Sequence, residues 1–257
     1  WGDGYEQTIT RTGTSEQTYT HTYGAAGTYT IGFAGTATGY NTNNSTTPAI
    51  SFNTDTRTRI ASVSGSLGVM FPYLGSGSGQ YPRFYGTFNG CTNLTTISSN
   101  LFSGITTGAS NMFTGAFQGC TGLATIPSGL FSGITTAANA MFKNAFNGCT
   151  NLSGYIPPTT FAGLIANEHP TATDMWADAF NNTNLATTCS SPTEQYITGY
   201  EGSWNGKVSC GCAKGTYGDG TTCTACANTK PANSSWTSSA AAMAIWALYA
   251  AEKLKRS

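Results

Sequence analysis

Five groups of residues in this chain have types and spacings that could do chemistry. Cys91, Cys120 and Cys149 recur at 29-residue intervals inside the phrases FNGCTNL, FQGCTGL and FNGCTNL. Cys210 and Cys212, with Cys223 and Cys226 beyond them and Cys189 before, form a second set. His169 stands beside Glu168, with Asp174 and Asp178 downstream, an acidic group in a chain with only 9% charged residues. His21 lies in HTY, and Asp3 and Asp219 lie in GDG. A thiol can serve as nucleophile, metal ligand or disulfide half, and its surroundings decide which. The repeated thiols have no histidine in their frame to make a thiolate, and a nucleophile has no need of three copies. They therefore read as structural, with Cys91, Cys120 and Cys149 expected to be buried, reduced and stacked.

The other candidates give weaker chemistry. His169, Glu168, Asp174 and Asp178 supply nitrogen and oxygen ligands, but Pro170 interrupts the segment and no second histidine follows at helical spacing; it reads as a solvated loop. Asp3 and Asp219 suit turns better than general bases. No nucleophile elbow, zinc-helix or phosphate-loop pattern occurs. The expectation is no catalytic residue, no bound metal, no cofactor and no enzyme activity.

In the Cys-rich stretch, Cys210-x-Cys212 with Cys223-x-x-Cys226 fits a four-thiolate zinc site, and it equally fits a disulfide-stapled extracellular module whose bridges replace a missing apolar core. Disulfides are the favoured reading. Pairing Cys189 with Cys210 and Cys212 with Cys223 leaves Cys226 over.

The elements that must position these groups come from a repeat. Residues 88–116 and 117–145 are alike at about two thirds of positions, and a third unit begins at Phe146 and runs longer before MWADAFNNTNL. Residues 60–87 look like a degenerate first copy with a Gly/Ser-rich insertion. In NMFTGAF and AMFKNAF the apolar side chains fall at i, i+1, i+4 and i+5, which predicts a short helix with one buried face. LTTI and LATI predict a short strand, ended in the second copy by Pro127. Stacking such units would pair strands in parallel and bury the Phe, Leu and Ile columns against their own copies. The fold class expected is an α/β repeat solenoid.

The phrase FxGCTxLxxIP with downstream LF and MFxxAF resembles the BspA-type leucine-rich repeats of bacterial surface proteins, over residues 60–185. The resemblance implies an extended curved surface used for adhesion. On it the candidate concave-face positions are Thr95, Thr96, Ala124 and Thr125. Near the N-terminus, WGDG followed by HTY and GTYTIGF resembles the PKD-type immunoglobulin-like β-sandwich. That family carries strands before the WGDG turn, so an incomplete sandwich is expected.

Four parts follow: residues 1–52 as a partial PKD-like sandwich, 53–188 as the repeat solenoid, 189–237 as the Cys-rich module and 238–257 as a C-terminal helix. In that helix the uncharged run of 12 residues ending at Ala251 is short of the about 18–20 needed to span a bilayer. Met243, Trp246 and Tyr249 share one face of it. Lys and Arg total 11, equal to Asp and Glu, and show no cluster outside the C-terminal end, so nucleic acid is not an expected partner. The low charge and the abundance of Thr, Ser, Asn and Gly suit a secreted or cell-surface protein. The chain opens on Trp1 rather than Met, which suggests a processed N-terminus. The expected partners are a protein or glycan on another cell or matrix; the alternative is a structural stalk or filament subunit that contacts copies of itself.

Overall fold

In the computed structural model the described residues are 1–10, 13, 15, 17–40, 46–52, 55–75, 81–157, 159–166 and 172–188, followed by 193–195, 205, 207, 210–212, 216–218 and 223–225. Regular elements are short. A 3₁₀ turn at Arg57–Arg59 precedes β1 (Ser62–Val63) and α1 (Leu67–Met70), whose N-cap Ser66 accepts a hydrogen bond from the Val69 amide. Then come β2 (Thr96–Ile97), β3 (Ser153–Gly154), α2 (Ala162–Ala166) and β4 (Asn184–Leu185). β1 pairs in parallel with β2, and β3 with β4, while Thr107 and Thr136 form an isolated parallel bridge. Further on, β5 (Thr193–Gln195) runs antiparallel to β6 (Cys210–Cys212), and β7 (Thr216–Gly218) to β8 (Cys223–Ala225).

Most of residues 84–182 is built instead from consecutive turns that join one copy of the repeat to the next. Over residues 112–120 the amides of Met112, Thr114, Ala116, Gln118 and Cys120 each donate to the carbonyl three residues back. The alternate amides, of Asn111, Phe113, Gly115, Phe117 and Gly119, donate across to Asn139, Met141, Lys143, Ala145 and Asn147 of the following copy. The same alternation links Phe84, Gly86, Phe88 and Gly90 to Met112, Thr114, Ala116 and Gln118. It links Ala140, Phe142, Asn144, Phe146 and Gly148 to Thr173, Met175, Ala177, Ala179 and Asn181. Local turns and neighbouring copies thus share the backbone donors between them.

This turn ribbon stands where the periodicity of NMFTGAF predicts a helix. The buried side chains Met112, Phe113, Ala116, Phe117 and Cys120 recur every four residues, not every 3.6, so a straight α-helix would rotate them off the core. Every fourth residue also takes the left-handed conformation: Asn111, Gly115 and Gly119, then Ala140, Asn144 and Gly148, then Asp174, Asp178 and Asn182. Each of these interrupts an α-helix and closes a turn. Gly, Asn and Asp are the residues that adopt that conformation at least cost, and Ala140 is the exception. LATI likewise carries no strand, although the Ser153 amide still donates to the Ala124 carbonyl.

The core is a set of columns. Phe52, Phe88, Phe117, Phe146 and Phe180 stack ring on ring at 5.2–5.6 Å. Phe84, Phe113, Phe142 and Trp176 form a second stack, and Phe102, Phe131 and Phe161 a third set between them. Leu94, Leu123 and Leu152, with Ile97, Ile126 and Ile156, fill the strand side. Each ring meets its own kind at near-parallel offset, the arrangement that a constant inter-copy step imposes.

Residues 1–52, expected as a partial sandwich, hold no regular strand among the described residues. The alternation in TYTIGF leaves Ile31 and Phe33 exposed rather than half-buried, because no facing sheet is present among the described residues to cover them. The C-terminal helix expected over 238–257 lies outside the described residues.

Candidate functional site

The exposed face nearest the expected binding positions is built by the chain just after each buried Leu. Leu94 and Leu123 are sunk in the core, and the next two residues, Thr95 and Thr96 in one copy and Ala124 and Thr125 in the next, are exposed before Ile97 and Ile126 turn inward. Ser62 lies beside Thr96 in the β1–β2 register, and Ser153 beside Asn184 in β3–β4. Ser153 and Gly154 are exposed, and Gly154 has a φ of 80° where this copy carries one more residue before its buried Ile156. The Thr95 amide and hydroxyl both donate to the Ala61 carbonyl, at 2.9 and 3.2 Å. That bond orients one hydroxyl, while the other small side chains project from a backbone fixed by the columns beneath. The face is small and polar, and no charged side chain lies in these strand positions.

A second threonine surface was not singled out by sequence. Thr106 and Thr135 are exposed, and the Thr135 amide and hydroxyl donate to the Thr106 carbonyl at 2.8 and 3.1 Å. Thr136 Oγ1 accepts from the Gly108 amide at 2.9 Å. The signal was present in the repeated ITT, three residues after LF in both copies. A third feature is an edge of amides: Asn89 Nδ2 donates to Gln118 Oε1 at 3.1 Å, and Asn182 Nδ2 to Asn147 Oδ1 at 3.3 Å.

Cys91, Cys120 and Cys149 lie beneath these surfaces as buried free thiols. Cys120 Sγ donates to the Phe88 carbonyl at 3.1 Å, and Cys149 Sγ to the Phe117 carbonyl at 3.0 Å. Burial pushes the Cys91 thiol up to about 11 and the Cys149 thiol to about 12. It raises Cys120 as well, and the neighbouring Cys149 and Cys91 add to the shift. A thiol held protonated in this way is a poor nucleophile and a poor metal ligand.

Cys210 and Cys212 sit opposite Gln195 and Thr193 in the β5–β6 ladder, and Cys223 opposite Gly218 in β7–β8. Cys189 and Cys226, like His169, Glu168 and Asp219, lie outside the described residues. Asp174 and Asp178 occupy left-handed turn positions of the last copy. Among the described residues no cluster of three or more His, Cys, Asp or Glu could hold a metal ion.

At the N-terminus His21 Nε2 lies 2.6 Å from Asp3 Oδ2, and the imidazole is stacked between Trp1 and Tyr5 at 5.1 Å from each. The hydrogen bond to His21 holds the Asp3 carboxyl below the usual carboxylate range, and the Tyr5 amide adds to this. Tyr23 meets the His21 ring edge-on and donates to the Trp1 carbonyl. The arrangement fixes the GDG turn against HTY.

Among the described residues no helix is long and apolar enough to cross a membrane. No protein family, curated protein or solved structure matches the chain.

Proposed function

We propose that this chain is a non-catalytic binding protein of the secreted or cell-surface kind, in which a leucine-rich-repeat solenoid of the BspA type presents a repeat-built face to a protein or glycan ligand. The observation that carries the reading is the exposed run of small, mostly hydroxylated side chains Thr95, Thr96, Ala124 and Thr125. It is held in fixed spacing by columns of buried Phe, Leu, Ile and Cys that make no use of those side chains. Such a face offers hydrogen-bond donors and acceptors at regular intervals without charge, which suits sugar hydroxyls or an extended peptide backbone. The buried, protonated thiols are unsuited to act as nucleophiles.

Residues 1–52 in this reading are a PKD-like spacer and residues 189–237 a disulfide-stapled module. The test is binding to a mixed glycan array and to immobilised matrix glycoproteins, compared between the wild-type chain and Thr96→Lys/Thr125→Lys. Lysines on this face are expected to abolish binding and leave the melting temperature unchanged. Equal binding by both chains would move the ligand to another surface.

A further inference from the structure

The hydrogen bonds along the turn ribbon proper point one way. Over residues 84–90, 111–119 and 140–148 every inter-copy bond runs from an amide of one copy to a carbonyl of the next, whereas on the strand side Thr95, Ser98, Ser153 and Asn184 donate back to the preceding copy. The array therefore has two unlike edges. On the ribbon side its first copy presents carbonyls and its last copy presents amides, while beside β4 the last copy presents the carbonyls of Thr183 and Leu185. On the ribbon side a tail-to-tail contact between two chains would set donor against donor. A head-to-tail contact would set donors against acceptors at the spacing the array already uses. Such a contact is heterologous, and it does not close.

Both edges are occupied by other parts of the chain. At the carbonyl edge the amides of Ala49 and Phe52 donate to Arg83 and Thr87, Thr87 Oγ1 donates to the Ile50 carbonyl, and the Phe52 ring lies flat on Phe88 at 5.3 Å. At the amide edge, among the described residues, Asn205 and Lys207 meet the last copy. Asn205 Oδ1 accepts from the Phe180 amide at 3.2 Å, and its Nδ2 donates to Asp178 Oδ1 at 3.4 Å. Lys207 Nζ donates to the carbonyls of Thr183 and Leu185, at 3.0 Å each, beside β4. Asn205 thus takes the place on Phe180 that a carbonyl of a following copy takes on Phe146.

We propose that Asn205 and Lys207 form the terminal cap of the repeat array, and that this cap keeps the amide edge from stacking on the carbonyl edge of a second copy of the chain. Their side chains satisfy the polar groups on which another copy would dock. The ammonium of Lys207 adds a charge whose burial under an incoming copy is costly. The charges near the two edges favour that partner over others once the cap is open. Arg57 lies against Gly90 at the carbonyl edge, and Asp174 and Asp178 lie in the copy at the amide edge. The inference concerns assembly and stands whether or not the threonine face binds a ligand.

The experiment compares the full chain with Asn205→Ala/Lys207→Ala by light scattering across a wide concentration range. Wild-type protein is expected to stay monomeric. The variant, with native circular dichroism, is expected to rise in mass with concentration through successive multiples, and to do so less at high salt. A variant that stays monomeric, or stops at a closed dimer, overturns the proposal. Hydrogen exchange of the wild-type Phe180 amide is a second readout that does not depend on how the variant folds. Protection comparable to the Phe146 amide is expected. Exchange at the rate of an open amide would remove the cap.

Discussion

Cys120 shows how little a residue type decides until its partners are known. The same thiol that could be a nucleophile is buried against Phe88 and Phe117 of two copies and donates its proton to a carbonyl. Native protein is therefore expected to resist alkylation of Cys91, Cys120 and Cys149 at neutral pH, and to label fully in denaturant. Labelling of all three in the native state would contradict the burial. The pKa shifts also fix a sign. Each folded thiol stays protonated above the ordinary value of 9.0, so the unfolded chain loses its protons first. The stability these groups contribute is whole below pH 9 and falls as pH rises toward 11 and 12. The melting temperature should decline across that window, and a flat profile would show the thiols to be more accessible than described. Ala140 supplies an opposite case. It holds a φ of 53°, where its counterparts Asn111 and Asp174 are suited to the conformation and it is not. Ala140→Gly is expected to stabilise by about 1 kcal/mol in urea denaturation, since the left-handed conformation costs a side-chain-bearing residue about 1–2 kcal/mol. Ala140→Asn should act in the same direction.

At the scale of elements, the repeat was legible and its internal conformation was not. The spacing of Phe88, Phe117 and Phe146 stands open in the sequence, and the same residues meet as stacked rings. What misleads is the short apolar pattern of NMFTGAF, which over seven residues fits a period of 3.6 and a period of four equally well. The deciding information lay in the polar positions: Asn111, Gly115 and Gly119 mark left-handed corners at fixed intervals. An apolar count ignores them. The positions Thr95, Thr96, Ala124 and Thr125 could be picked as exposed because a buried Leu and a buried Ile bracket each pair. The ITT surface carries no such bracket: Ile105 and Ile134 precede the threonine pairs, and only Gly108 and Ala137 follow them. The end cap could not be read at all, since Asn205 and Lys207 sit in a segment outside the repeat. Packing gives a test at this scale. Phe117 lies between Phe88 and Phe146, and Phe117→Ala is expected to cost about 3–5 kcal/mol as a buried aromatic lost to a cavity. Phe52 ends the same stack half-buried, so Phe52→Ala should cost clearly less. Equal losses at the two positions would mean that the stack does not end where Phe52 lies.

At the scale of the whole molecule, hydrogen bonds and stacked rings replace charge as the means of specifying neighbours. The His21–Asp3 contact lies outside the repeat, and the columns of the repeat are built from uncharged side chains. The melting temperature of the array is accordingly expected to shift little between low and high salt, since screening acts on charges that are scarcely used. A large shift would point to ion pairs in the C-terminal third. The constant direction of the ribbon also bears on how such a chain changes over generations. Between the first three copies the aromatic partners are one repeat apart, and each step advances the stack by little more than 5 Å. Between Phe146 and Phe180 the chain takes a longer path, yet the rings meet at 5.6 Å all the same. An exchange between genes that adds or drops one whole unit would leave the amides of Ala49 and Phe52 and the side chains of Asn205 and Lys207 facing the same kind of copy as before. Length is then a quantity that recombination can alter in even steps, while both closures keep their partners and the surface between them grows or shrinks by one row.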